Sequence, residues 1–307
     1  MTLKWTLGAI VLFCSLTSIF LNLLIFLPVF RLAFIDKKSS IYIIAFFNII
    51  SDLLQLFLIG FYLAPSIMTD RYIGTTAVDS PVGLFIGVSF LFAWYVESLI
   101  QVLMAVNRLT IITFRNHSLF TFRSTLFIFF FLFVFTAASA YTAQRILPCC
   151  SFVFDQQLLT IRFIPQEDVF NYSFFILRCY DLFSTVASTV CYIGVLSTIR
   201  KGKSQVAAAN VSNTRNTQDI RYLMHFAFIS VFYIFSVVAF EVLPHIVPSG
   251  QVEWFVIVPI LVTFNCSSNS LIYLSVNIEV QKYLPIKWLR NNCSKSVTYS
   301  ADARTDP

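Results

Sequence analysis

Seven apolar stretches, at 7–30, 41–64, 82–107, 122–143, 174–199, 221–247 and 252–276, constrain this 307-residue chain more than any other feature. A helix needs about 20 apolar residues to cross the hydrocarbon core of a bilayer, and each stretch reaches that length. A membrane barrel would instead alternate apolar and polar residues at period two over about ten residues. Only 12% of the residues are charged and 58% are hydrophobic, too little charge to coat a water-soluble surface. The sequence therefore predicts an all-α membrane protein, a single bundle of seven spanning helices over 1–290. The polar tail at 291–307 is expected to be disordered and cytoplasmic. The first stretch is too long for a secretory signal and lacks a small-residue cleavage site, so it is read as a retained span.

Basic residues concentrate on the cytoplasmic side of membrane proteins. Sixteen of the 21 Lys and Arg fall in the connections after spans 1, 3 and 5 and in the tail, which places the N-terminus outside and the C-terminus inside. The net charge of +6 then reflects an inner face meeting anionic lipid rather than a nucleic-acid partner. Two connections are long: an outer one at 144–173 and a basic, polar inner one at 200–220, suited to an inner partner. No internal repeat of the kind used by inverted-repeat transporters is visible.

Ionisable groups inside a bilayer are costly and usually face the bundle interior. Their spacing shows which share a helix face, since positions 3, 4, 7 or 11 apart lie close together. Asn48, Asp52 and Gln55 form one stripe in span 2. Trp94, Glu97, Gln101 and Arg108 form another in span 3, with Glu97 about 16 Å from Arg108 by helix rise. Arg178, Asp181, Thr185, Ser188 and Tyr192 line span 5, where Arg178 and Asp181, one turn apart, are placed to neutralise each other. Asn265, Asn269 and Tyr273 line span 7, and Glu241 lies high in span 6. Many such groups serve only as glue between helices; the charged ones are candidates for function. Span 4, rich in Phe, is expected to face lipid.

Seven spans with the N-terminus outside resemble a G-protein-coupled receptor. Asn22 in SLTSIFLNLLIF, Asp52 in NIISDLLQ, Arg108 in MAVNRLTIITF, and Asn269 and Tyr273 in NSLIY stand where that family has its marked positions. Departures are equally plain. Asn107 replaces the acidic residue before the span 3 arginine, Ser270 replaces the span 7 proline, and no cysteine stands at the top of span 3. These departures, with ILPCCSFVFD and the NYS at 171–173, resemble the nematode serpentine chemoreceptors, class X, with class V close behind. The resemblance implies a small-molecule ligand among the outer halves of spans 3, 5, 6 and 7, with Trp94, Glu97, Arg178, Asp181, Glu241 and Trp254 as its contacts. It also implies a heterotrimeric G protein at the inner end, with Asn107, Arg108, Asp52, Asn269 and Tyr273 as the coupling and switch positions. The expected location is the plasma membrane, in sensory-neuron cilia if the resemblance extends so far.

Seven cysteines are present. Cys149 and Cys150 lie in the outer connection, and a link from one of them to Cys179 is favoured over a bond between neighbours, though sequence cannot fix the pairing. Asn171 is the N-glycan acceptor on the outer side; the sequons at Asn116, Asn210 and Asn292 would face the cytosol. After span 7, VQKYLPIKWLRNNC reads as a short helix on the inner leaflet, with Cys293 a palmitoylation candidate. The three His lie on different segments without metal-ligand spacing, and no phosphate loop or nucleophile elbow appears. No enzyme, cofactor or metal is therefore expected. A seven-helix ligand-gated channel or a small-solute transporter stands as the alternative to a receptor; a channel of that kind has the opposite orientation.

Overall fold

The structure is a computed structural model that describes residues 2–74, 80–114, 119–147, 149–164, 166, 168–207, 214–248 and 250–284. Of these, 2, 201–207, 214–229 and 276 are described by their backbone alone. Seven long helices follow in chain order: α1 (Thr2–Phe30), α2 (Ser40–Leu58), α3 (Pro81–Ile112), α4 (Phe122–Tyr141), α5 (Tyr172–Ala207), α6 (Thr214–Ile246) and α7 (Ile257–Val276). A short α8 (Ile278–Lys282) follows α7 directly.

The helix starts have local causes. Ser80 accepts the amide of Gly83 ahead of α3, and Pro81, which has no N–H to lose, fills the first turn. Thr121 and Ser124 form a reciprocal capping box at α4. The Asn171 side chain accepts from the amide of Phe174 at α5, and Asn277 accepts from those of Glu279 and Val280 at α8. Wide π turns extend α1 over Arg31–Ile35 and α4 over Thr142–Ile146. In α2 a π turn at Ile59–Leu63 leads into Ala64–Thr69; it precedes Pro65, whose ring and missing N–H a regular helix accommodates poorly.

α3 occupies the centre, packed against α2, α4 and α5, while α1 packs on α2 and α7, and α6 on α7 and α5. Six helices are long and apolar enough to cross a membrane, and the described part of α6, Ser230–Ile246, is a shorter apolar segment. Among the six membrane-length helices α4 and α5 bury least, so the lipid-facing role expected of span 4 is shared by span 5. Phe127, Phe130, Phe131 and Phe135 of α4 all point outward.

The connection between α4 and α5 contains a β-hairpin absent from the sequence expectations, β1 (Phe152–Asp155) paired antiparallel with β2 (Thr160–Phe163). Asp155 closes its turn by accepting from the amides of Gln157 and Leu158, and its other oxygen pairs with Arg162 at 2.8 Å. The hairpin folds inward over the bundle. Gln144 holds it by bonding both the amide and the carbonyl of Phe152, each at 2.8 Å. Gly87 of α3 makes that approach possible, because a Cβ there would lie 2.0 Å from the Phe152 carbonyl oxygen.

Two cysteine expectations change. Cys149 is bonded to its neighbour Cys150, and Cys179 is free and exposed on α5. Most of the basic connection expected over 200–220 is taken up by the ends of α5 and α6, and its side chains lie outside the described residues. The tail at 291–307, Cys293, and the sequons at Asn116, Asn210 and Asn292 also lie outside them.

Candidate functional site

A narrow cleft, open to solvent, lies between α3, α5, α6 and α7, beneath the hairpin. Its walls carry four aromatic rings, Phe90, Trp94, Phe152 and Phe240, and aliphatic groups such as Leu177 and Val262. The ring of Phe90 stacks on those of Trp94 and Phe152, so the hairpin seats on α3 by aromatic contact. Asp181 and Ser236 are the only polar residues in the lining, and the Ser236 hydroxyl is engaged with the carbonyl of Phe232. The cleft is thus narrow, apolar and marked by a single ionisable group, the composition of a small-molecule site.

Asp181 is held from two sides. Its Oδ1 accepts from Trp94 Nε1 at 2.9 Å and from the Tyr233 hydroxyl at 2.6 Å. Tyr233 stacks on Trp94 and lies 2.7 Å from Ser98 Oγ, and Ser184 donates to the Ser98 carbonyl. This network ties α3, α5 and α6 together at the floor of the cleft. Arg178 does not neutralise Asp181, as their spacing had suggested. Its guanidinium reaches Glu241 of α6 through both oxygens and lies over the Phe174 ring.

Deeper in the bundle, Glu97 accepts from Gln55 Nε2 at 2.7 Å and from the Asn265 amide. Asp52 accepts from Asn48 at 2.8 Å and from Asn269 at 3.3 Å. Asp52, Glu97 and Cys266 place one ligand atom each within 4.8 Å of one another, a set of two carboxylates and a thiol able to hold a cation. Asn22 links α1 to the same layer, accepting from Ser270 and donating to the carbonyls of Ser18 and Cys266. Tyr273, one turn beyond Asn269, lies within electrostatic reach of Tyr42.

At the far end of α3, Asn107 is fully buried and donates to Ser40 Oγ at the start of α2, 3.2 Å away. Arg108 is half-buried and within electrostatic reach of Tyr192 on α5. Beside this end, Glu279 of α8 pairs with Lys38 at 2.5 Å and accepts from the Tyr42 hydroxyl, so α8 is docked against the turn between α1 and α2.

Of the six ligand contacts expected from sequence, Trp94 and Asp181 line the cleft. Glu97 belongs to the polar layer below it, Arg178 and Glu241 form an ion pair outside the lining, and Trp254 is exposed on the 3-10 turn Val252–Val256. The α7 wall is instead built by Val258 and Val262. Asn171 caps α5, and the hydroxyl of Ser173 is buried against the carbonyl of Ala143. Sequence reasoning missed Tyr233 and the hairpin. Tyr233 carried no signal, being one of 13 tyrosines. FVFD and TIRF, two short runs rich in aromatic and β-branched residues and separated by the four residues QQLL, did carry one.

Two comparisons with known proteins bear on this geometry. The family of serpentine-type 7TM GPCR chemoreceptors, Srx, matches residues 12–277. Squid rhodopsin is similar in fold, with a TM-score of 0.72 at 13% sequence identity, over 100% of this chain and 92% of that one. At that identity the likeness speaks for the seven-helix bundle alone. No curated protein matches. The family match spans nearly all of the helical bundle, and the departures from the wider receptor pattern at Asn107 and Ser270 fall inside it. The chain is a multi-pass membrane protein and belongs to the Srx serpentine chemoreceptors, a family of seven-transmembrane G-protein-coupled receptors.

Proposed function

We propose that this receptor binds a small molecule in the cleft beneath the hairpin and signals to a heterotrimeric G protein at the Arg108 end. In this reading the hairpin faces the outside and the Arg108 end faces the cytoplasm, as the basic residues favour. The plasma membrane, and the sensory cilium as the resemblance suggests, is then the site of action. Residues 291–307 form a cytoplasmic tail and Asn171 is the outer glycan acceptor.

One observation carries the reading. Buried polar groups recur along α3 from the cleft to the Arg108 end, at Glu97, Ser98, Gln101 and Asn107. Trp94 and Ser98 touch Asp181 and Tyr233, Glu97 meets α2 and α7, and Asn107 meets α2. Asp52, Asn269 and Tyr273 lie alongside this column and serve as its switch positions. A ligand shifts the balance of arrangements only by binding one of them better. The side chains that could register such a difference at the cleft are those that close this column at its top.

The test is Arg108→Ala in cells with a second-messenger readout and an accessible N-terminal tag. Ligand-evoked signalling is expected to vanish while surface staining persists. Undiminished signalling would remove Arg108 from the coupling site, and a C-terminal tag stained in intact cells would reverse the orientation and favour the channel.

A further inference from the structure

We infer that the cleft selects a cationic amphiphile, a protonated amine on a compact apolar body, with Asp181 as its counter-charge. The inference rests on the reading of the cleft as the ligand site and names the chemistry of what enters it.

The hydrogen-bond inventory comes first. Trp94 Nε1 is a donor only, so Asp181 Oδ1 must be an acceptor there, and the Tyr233 hydroxyl donates to the same atom. A proton on Asp181 would have to sit on Oδ2, which has no acceptor among the described residues. Two donors on one oxygen favour the ionised carboxylate, and its second oxygen is left without a donor among those residues. Asp181 is 6% exposed and lines the cleft, so what completes its bonding comes from there.

The surrounding charges point the same way. Buried charges in a bilayer normally pair. Arg178, the cation nearest in sequence, is engaged by both oxygens of Glu241. The other groups that act electrostatically on or with Asp181 are Glu97, Glu241, Tyr95 and Tyr233, none of them a cation. Among the described residues, then, Asp181 has no ion-pair partner. The apolar walls, from Leu177, Phe240 and Val262 among others, suit the body of such a ligand. A carboxylate ligand would meet a like charge in a low-dielectric site, and a neutral ligand would leave Asp181 unanswered.

The test uses the purified full chain in lipid nanodiscs. Phenylalkylammonium probes with two, three and four methylenes are titrated beside the alcohols and carboxylates of the same length. Affinity is read from tryptophan fluorescence and from the shift of the melting midpoint. The ammonium members are expected to bind at least about tenfold more tightly than the alcohols, with the carboxylates weakest. Asp181→Asn keeps an acceptor for Trp94 and Tyr233 and should cost the ammonium probes about thirtyfold or more, leaving the alcohols unchanged. Tyr233→Phe removes a donor but keeps the charge, and should preserve the ammonium preference.

The inference is overturned if no ammonium probe binds, if the alcohols bind as well, or if Asp181→Asn keeps the preference. The three-way comparison on the unaltered chain decides the matter even if Asp181→Asn fails to fold. Failure of the receptor reading looks different: ammonium probes would bind but evoke no second messenger in cells. A response evoked equally by the alcohols would sink the amine and spare the receptor.

Discussion

Gly87→Ala isolates what holds the hairpin over the cleft. The added Cβ would lie 2.0 Å from the Phe152 carbonyl oxygen and 3.1 Å from Gln144 Nε2. Ordinary contact begins near 3.4 Å, so the carbonyl must withdraw by about 1.4 Å. Its neighbour is backbone, which cannot swing aside as a side-chain tip can. The two 2.8 Å bonds between Gln144 and Phe152 would then stretch beyond hydrogen-bonding range. Losing the two bonds at roughly 1–3 kcal/mol each gives an expected loss of about 2–6 kcal/mol, confined to the hairpin and the cleft. Limited proteolysis between Asp155 and Thr160, with ligand response read in parallel, measures it. Gly194→Ala is the control. Its Cβ meets only the Leu109 Cδ1 methyl, at 2.9 Å, which can rotate away, so the cost should stay below about 1 kcal/mol. Equal protease resistance and equal response in Gly87→Ala and the unaltered chain would refute the account of the seat.

Two further outcomes follow from the Arg108 end. Asn107→Asp puts a carboxylate beside Arg108 while Ser40 can still bond it, and should lower ligand-independent signalling by up to about fivefold at equal surface expression; unchanged basal signalling would count against a restraining role for that position. At Glu279, partial burial opposes ionisation, but hydrogen bonds from Lys38 and Tyr42 and the charges of Lys38 and Lys282 outweigh it and hold the carboxyl below its ordinary value. A lowered folded value means that the stabilisation is present above about pH 4.3 and is lost as pH falls through the folded value. Melting of the purified chain should therefore show an acid limb that shrinks in Glu279→Gln; the same limb in both proteins would place its origin elsewhere.

The architecture was legible because bilayer-length apolar runs leave few alternatives, and the stripe positions were legible because a helix has one fixed period. Glu97, Asp52, Asn265 and Asn269 face inward together as their spacing predicts. Partner choice was not legible in the same way. Arg178 and Asp181 share a face of α5, yet Arg178 reaches across to Glu241 because two facing carboxylate oxygens satisfy a guanidinium fork better than one neighbour on its own helix. Trp254 suited an aromatic mouth by composition, but the register of α7 turns Val258 and Val262 to the cleft. The hairpin was obscured by reading a connection between spans as a connection only. Its alternating runs are four residues each, short beside the helices that frame them.

Gln144 grips Phe152 by the main chain, while the ring of that same residue faces the cleft. The main chain of Phe152 thus holds the hairpin, and its ring both lines the cleft and stacks on Phe90. A substitution at 152 alters the surface offered to a ligand and the contact with Phe90 but keeps both Gln144 bonds, since every amino acid except proline brings the same amide and carbonyl. Gly87 and Gln144 have no such freedom, because one must lack a side chain and the other must carry both a donor and an acceptor. A lineage descending from this fold could vary the lining of the cleft through position 152 while the anchor residues stay fixed.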